Sequence, residues 1–231
     1  MESDPRVHSK TIRRIEGDSS PVILVGVVHD HPASVSRVTS VVDAVDPETI
    51  AVEVPSPMVP VYANDRHRAG GEVAAAITAD PSIPVEGIDI PHTGAIRSFI
   101  EEFQTRPVDP RTALRTLRSA ARMTAHVGAA SLSRLGLPGA PSVGQLERGH
   151  EYEISHDASP ARQADHERAH IRRSTALLDS LEPPPETAFL DAVRERYMAD
   201  RLASLRQAGP VVCVVGFSHL AGIEERLEEG S

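Results

Sequence analysis

Four short apolar runs, rich in β-branched residues and each bounded by proline, glycine or aspartate, constrain the fold most. They are residues 22–28, 49–54, 83–90 and 211–217. Each is too short for a buried helix and reads as a buried strand. The first three are followed by helix-like stretches: Val35, Val38, Val42 and Val45 at helical spacing, then residues 72–79, then 95–103. Alternation of strand and helix predicts an α/β protein with a mainly parallel central sheet flanked by helices. Between Asp109 and Ala208 no strand signal occurs, and three helices are expected over 112–135, 160–181 and 186–207. Leu137-Pro138-Gly139-Ala140-Pro141 and Pro183-Pro184-Pro185 separate them, because proline cannot donate the helical hydrogen bond and restricts the residue before it. The expectation is one domain over residues 1–231, with a helical insertion at about 105–208 before the last strand and a final helix reaching Leu227.

Composition narrows the class of function. A chain of 231 residues that is 40% hydrophobic can bury a real core. No apolar run approaches the roughly 18 to 20 residues of a membrane span, and the start lacks the apolar stretch of a signal peptide. A cytoplasmic protein without a transmembrane domain or membrane insertion is expected. The single cysteine, Cys213, lies in an apolar run and reads as a small core residue. A net charge of −9 argues against a general nucleic-acid surface. Lys10 is the only lysine; few lysines, many acids and few aromatics suit a high-salt, haloarchaeal type of cytoplasm, and a GC-rich genome depletes lysine in the same way.

In open parallel sheets, ligands sit beyond the carboxyl ends of the strands. Here the first run ends in Gly26-Val27-Val28-His29-Asp30-His31, the second in Glu53, the third in Asp89 and the fourth in Gly216-Phe217-Ser218-His219. Twice the order is apolar strand, glycine, two residues, histidine. Glycine lets backbone or ligand approach closely, and an imidazole three residues later can project from the strand end. Two imidazoles with a carboxylate and an open position make a catalytic metal site, at which bound water is acidified to a pKa of about 7 and a carbonyl is polarised. Amide or ester hydrolysis is the chemistry expected. A lone strand-end histidine is more often a cap, Asp89 could equally cap a helix, and His31 reads as a loop residue rather than a ligand. Gly26 belongs to no GxGxxG fingerprint, so a dinucleotide site is not expected.

Five segments resemble the TraB/PrgY family, related to the Tiki proteins and more distantly to erythromycin-esterase-like and ChaN-like proteins. They are Val22-Ile23-Leu24-Val25-Gly26-Val27-Val28-His29, Ile50-Ala51-Val52-Glu53-Val54, Gly70-Gly71-Glu72-Val73-Ala74-Ala75-Ala76, Arg194-Glu195-Arg196-Tyr197-Met198-Ala199, and Val214-Val215-Gly216-Phe217-Ser218-His219-Leu220-Ala221-Gly222-Ile223. The resemblance spans 22–227, with little carried by about 105–180. It implies a site in which His29 and His219 bind a divalent metal (manganese, cobalt or zinc), Glu53 ligates or acts as base, and Arg194 stabilises negative charge. Glu72 and Asp89 would be supporting or additional ligands, with Gly26 and Gly216 lining the cofactor site. Peptide-bond hydrolysis on a peptide or small-molecule substrate follows by analogy with the Tiki branch. The rival readings are a non-enzymatic peptide-binding, pheromone-shutdown-like protein and a metal-free esterase-like hydrolase using His29 and Glu53. A homo-oligomer is compatible with all three. Where the family carries Glu-Arg-Asp, this chain has Val193-Arg194-Glu195, and its third strand lacks the usual Asp-Arg pair before Asp89.

A second motif competes. His166-Glu167-Arg168-Ala169-His170 spells HExxH, which on a helix can present two zinc ligands and a general base. Asp165, Arg168, Arg172 and Arg173 surround it, so the expectation is a charged, solvated helix and a chance match. Arg111, Arg115, Arg118 and Arg122 fall along one helical face, either solvated or a phosphate- or partner-binding surface.

Overall fold

The computed structural model describes residues 4–64, 71–91, 94–133, 152–180 and 183–230. In chain order the elements are β1 (Ile12–Ile15), β2 (Val22–Val27), α1 (Pro32–Val45), β3 (Thr49–Pro55), a 3-10 turn (Ser56–Met58), α2 (Val59–Asn64), α3 (Glu72–Ala79) and β4 (Val85–Asp89). There follow α4 (Ala95–Thr105), α5 (Pro110–Ser133), α6 (Pro160–Ser180), α7 (Pro185–Leu205), β5 (Val211–Gly216), a 3-10 turn (Phe217–His219) and α8 (Leu220–Glu229). The ends of the first two expected insertion helices, at 135 and 181, and the Leu137 to Pro141 breaker lie outside the described residues.

The sheet order is β1-β2-β5-β3-β4, with β2, β5, β3 and β4 parallel and β1 antiparallel at the edge. The α/β expectation therefore holds, with one strand more than the apolar runs announced. β5 pairs with β2 on one side and with β3 on the other, Val22 opposite Val211 and Val52 opposite Val214. That insertion brings the chain's two Gly-x-x-His segments side by side at one end of the sheet.

Side chains alternate across the sheet with period two, so each strand feeds both cores. Ile23, Val25, Val27, Ile50, Val52, Val212 and Val214 pack with Val38, Val41 and Val42 of α1 on one face. Val22, Leu24, Ala51, Cys213 and Val215 pack with Met198 and Leu202 of α7 and Ile223 and Leu227 of α8 on the other. α7 is thus a layer of the central core. α6 lies against α1 on the opposite face, and α5 packs on α7 and the first 3-10 turn. No helix among the described residues is long and apolar enough to cross a membrane.

The charged helix carrying HExxH is only partly solvated. Gln163, Ala164 and Glu167 of α6 are fully buried. Glu167 forms an ion pair with Arg37, itself fully buried, and accepts a hydrogen bond from the Ser34 hydroxyl. Arg37 also donates to the carbonyls of Arg6 and Gly26, at 2.6 Å each. A buried guanidinium among carbonyls needs one carboxylate to balance its charge, and Glu167 supplies it.

Candidate functional site

Glu53, near the end of β3, is held at both oxygens. Its Oε2 accepts from the Gly216 backbone N–H at 2.5 Å, and its Oε1 accepts from Arg194 Nη2 at 2.6 Å. Arg194 reaches over from α7 and clasps the Asp89 carboxylate at the end of β4 with two parallel bonds, of 3.0 and 2.8 Å. Burial works against the arginine's charge, but Asp89 and Glu53 outweigh it and raise the Arg194 pKa.

The two histidines are mounted alike. His29 Nδ1 lies 2.6 Å from Glu72 Oε1, and the other Glu72 oxygen accepts from the Asp30 backbone N–H at 3.0 Å. His219 Nδ1 lies 3.0 Å from Glu195 Oε1, whose partner oxygen is 3.2 Å from Arg226 Nη1. A carboxylate at Nδ1 places a proton there, so that in the neutral ring Nε2 is the lone-pair nitrogen. The Glu72 hydrogen bond raises the His29 pKa to about 9 against the opposing effect of burial. Burial lowers the His219 pKa, yet the Glu195 hydrogen bond and the Glu53 charge raise it on balance.

Backbone geometry supports this mounting. Asp30 adopts a positive φ of 60° between His29 and His31, a conformation aspartate tolerates better than most side chains. Gly71, at the start of α3, has φ 102°, and a β-carbon there would collide with Asp30 Oδ1. Glycine at 71 therefore lets α3 bring Glu72 under His29.

Gly216 lies beside all three candidate ligands. A β-carbon built on it would lie 3.2 Å from Glu53 Oε2, 3.6 Å from His29 Nε2 and 3.8 Å from His219 Cδ2. The glycine keeps that cradle clear. The His29 side chain is 60% exposed and that of His219 only 8%, so the cradle opens on the His29 side. One competitor is present: Arg194 Nη1 is 3.2 Å from His219 Nε2. Among the described residues, no three His, Cys, Asp or Glu side chains stand at ligating distance around a single point.

The fold thus brings together His29, Glu53, Glu72, Asp89, Arg194, Gly216 and His219. Gly26 is set apart from them, since a β-carbon there would run into Leu220, and its role is close packing between β2 and α8. Glu195 joins the site unforeseen; its only sequence signal is its place next to Arg194. His31 does precede α1 in the loop, but it is fully buried. Its Nδ1 caps the helix by accepting from the Ala33 N–H, and its Nε2 lies 3.0 Å from His166 Nδ1. His170 packs edge-on against Tyr152, whose hydroxyl donates to the His29 carbonyl at 2.8 Å. With Glu167 bound to Arg37 and His166 to His31, the HExxH segment buttresses α1 and offers no free general base. Arg111, Arg115, Arg118 and Arg122 of α5 are exposed, with Arg115 at 3.4 Å from Glu186.

Comparison of the chain with protein-family models, curated proteins and solved structures gives no match.

Proposed function

We propose that the chain is a metal-dependent hydrolase of the TraB/Tiki type acting on a peptide bond. The observation that carries this reading is the pair of carboxylate-backed imidazoles, His29 with Glu72 and His219 with Glu195, converging with Glu53 on the cradle at Gly216. Carboxylate–histidine pairing is the usual outer support of metal-ligating imidazoles. Two nitrogens and one carboxylate suit manganese, cobalt or zinc. His29 Nε2 and Glu53 would hold the ion, with His219 Nε2 joining once Arg194 Nη1 gives way and the guanidinium stays on Asp89.

When bound, such an ion supplies Lewis acidity, polarising a carbonyl and acidifying water. The chain's own groups do the rest. Where Glu53 serves as base rather than ligand, it takes a proton as water oxygen adds to the carbonyl carbon. Arg194, kept cationic by Asp89, stabilises the negative charge that develops on the carbonyl oxygen. The carbon–nitrogen bond then breaks, and the amine leaves with the proton that Glu53 held. Water has by then been divided between the new carboxyl and the amine.

A metal-free reading, as a peptide-binding protein or an esterase-like hydrolase, is favoured by one contact, that of Arg194 with His219 Nε2. Turnover of a mixed peptide library, with and without added manganese, cobalt or zinc and again after chelation, separates the readings. Cleavage that needs metal and stops on chelation supports the first. Cleavage indifferent to both, or binding without cleavage, replaces it with the second.

A further inference from the structure

Helices α4 and α5 leave five large apolar side chains between 41% and 64% exposed: Ile96, Ile100 and Phe103 on α4, Leu114 and Leu117 on α5. Separations of three and four residues put each set on one stripe of its helix. Between these helices and α7 lies a cavity of about 260 Å³, apolar except for Thr124. It shares Ile90 and Met123 with a second cavity, of about 380 Å³, that is lined by Asp89. Arg122 lines this second cavity as well, and Asp89, which is bonded to Arg194, is its link to the polar site.

Size and continuity identify the occupant. Of the five, Ile96, Ile100 and Leu117 line the cavity. Three half-exposed aliphatic side chains fall well short of the roughly 800 Å² per partner that a stable protein–protein interface buries. A second copy of the chain is therefore a poor occupant, and a groove that ends at Asp89, the partner of Arg194, serves whatever reaches that carboxylate. We propose that it is a specificity pocket for a bulky aliphatic or aromatic side chain of an extended peptide, next to the bond that is cleaved. The inference rests on the hydrolase reading and adds the substrate class. Leu117 and Ala120 of α5, on the wall opposite α4, set the pocket's depth and polarity.

The test uses internally quenched heptapeptides that differ at one flanking position (Leu, Phe, Ala, Asp or Lys), with full-length protein and manganese. Leu and Phe peptides should exceed Asp and Lys peptides by at least about tenfold in kcat/KM. Ala120→Phe should cut the Phe peptide about tenfold and spare the Ala peptide. Leu117→Glu should erase the apolar preference, with folding checked by circular dichroism. Equal rates for apolar and charged peptides, or a preference unchanged in both variants, overturn the pocket. If no peptide is cleaved, the hydrolase reading fails and the pocket is read by fluorescence anisotropy of the same peptides, fluorescently labelled. Apolar-selective binding lost in Ala120→Phe then upholds it. Absence of binding, or a dimer seen by light scattering that Leu117→Glu dissolves, overturns it.

Discussion

Replacing Glu167 with alanine separates a structural glutamate from a catalytic one. Arg37 and Glu167 are both fully buried, and their ion pair joins α6 to α1 and β2. Truncating Glu167 leaves the Arg37 guanidinium with carbonyl partners only, and breaking a buried pair in this way costs about 3–5 kcal/mol. For a chain of this length each kcal/mol lowers Tm by about 2–4 °C, so a loss of roughly 10 °C is expected. Circular dichroism during thermal and urea unfolding measures it. The double variant Arg37→Met with Glu167→Leu removes both charges and keeps the volume apolar, and it should regain most of the loss. Metal content of the folded protein should stay unchanged in both. An unshifted Tm in Glu167→Ala, together with lost metal, would refute the reasoning and move the functional centre to the HExxH helix.

Further outcomes follow from individual contacts. Gly222→Ala should weaken metal binding by at least about tenfold in a competition titration with a chromophoric chelator, because the new β-carbon collides with the Glu195 carboxylate and pushes it off His219. That loss would come despite the better helix propensity of alanine, and unchanged affinity would show that Glu195 does not orient the ring. Burial lowers the His8 pKa to about 4 from an ordinary 6.5, with Arg37 adding to the shift. The unfolded chain then binds more protons between those values, so stability falls as pH drops from about 6.5 to about 4. His8→Leu should shrink the difference between urea midpoints at pH 7.5 and pH 5, and an undiminished difference would contradict the assignment. Cys213 is fully buried and burial pushes its thiol pKa up, so a thiol reagent should react only after unfolding. Rapid labelling of the native protein would be the contrary result.

The parallel core was legible because β2, β3 and β5 are almost wholly buried and need unbroken β-branched runs. β1 was not, because Arg13 and Arg14 fill the middle of a four-residue edge strand with a partner on one side only. The strand-end residues could be found because a parallel sheet gathers its carboxyl ends in one place. What supports them could not. Glu195 reaches His219 from a helix 24 residues earlier, and only its place next to Arg194 sets it apart from other helix acids. α6 reads as solvated because charged residues dominate it, whereas Glu167 faces a buried arginine 130 residues away. Gly26 and Gly216 occupy the same place in their motifs, yet one faces Leu220 and the other the cradle.

Metal stoichiometry tests the central claim most directly. Wild-type protein and the variants His29→Ala, His219→Ala, and His166→Ala with His170→Ala would be loaded with manganese, cobalt or zinc, freed of excess and assayed by mass spectrometry. The account predicts near-stoichiometric metal in the wild type and in the helix double variant, and its loss in His29→Ala and His219→Ala. Metal retained in those two single variants, or lost only in the double variant, would contradict it.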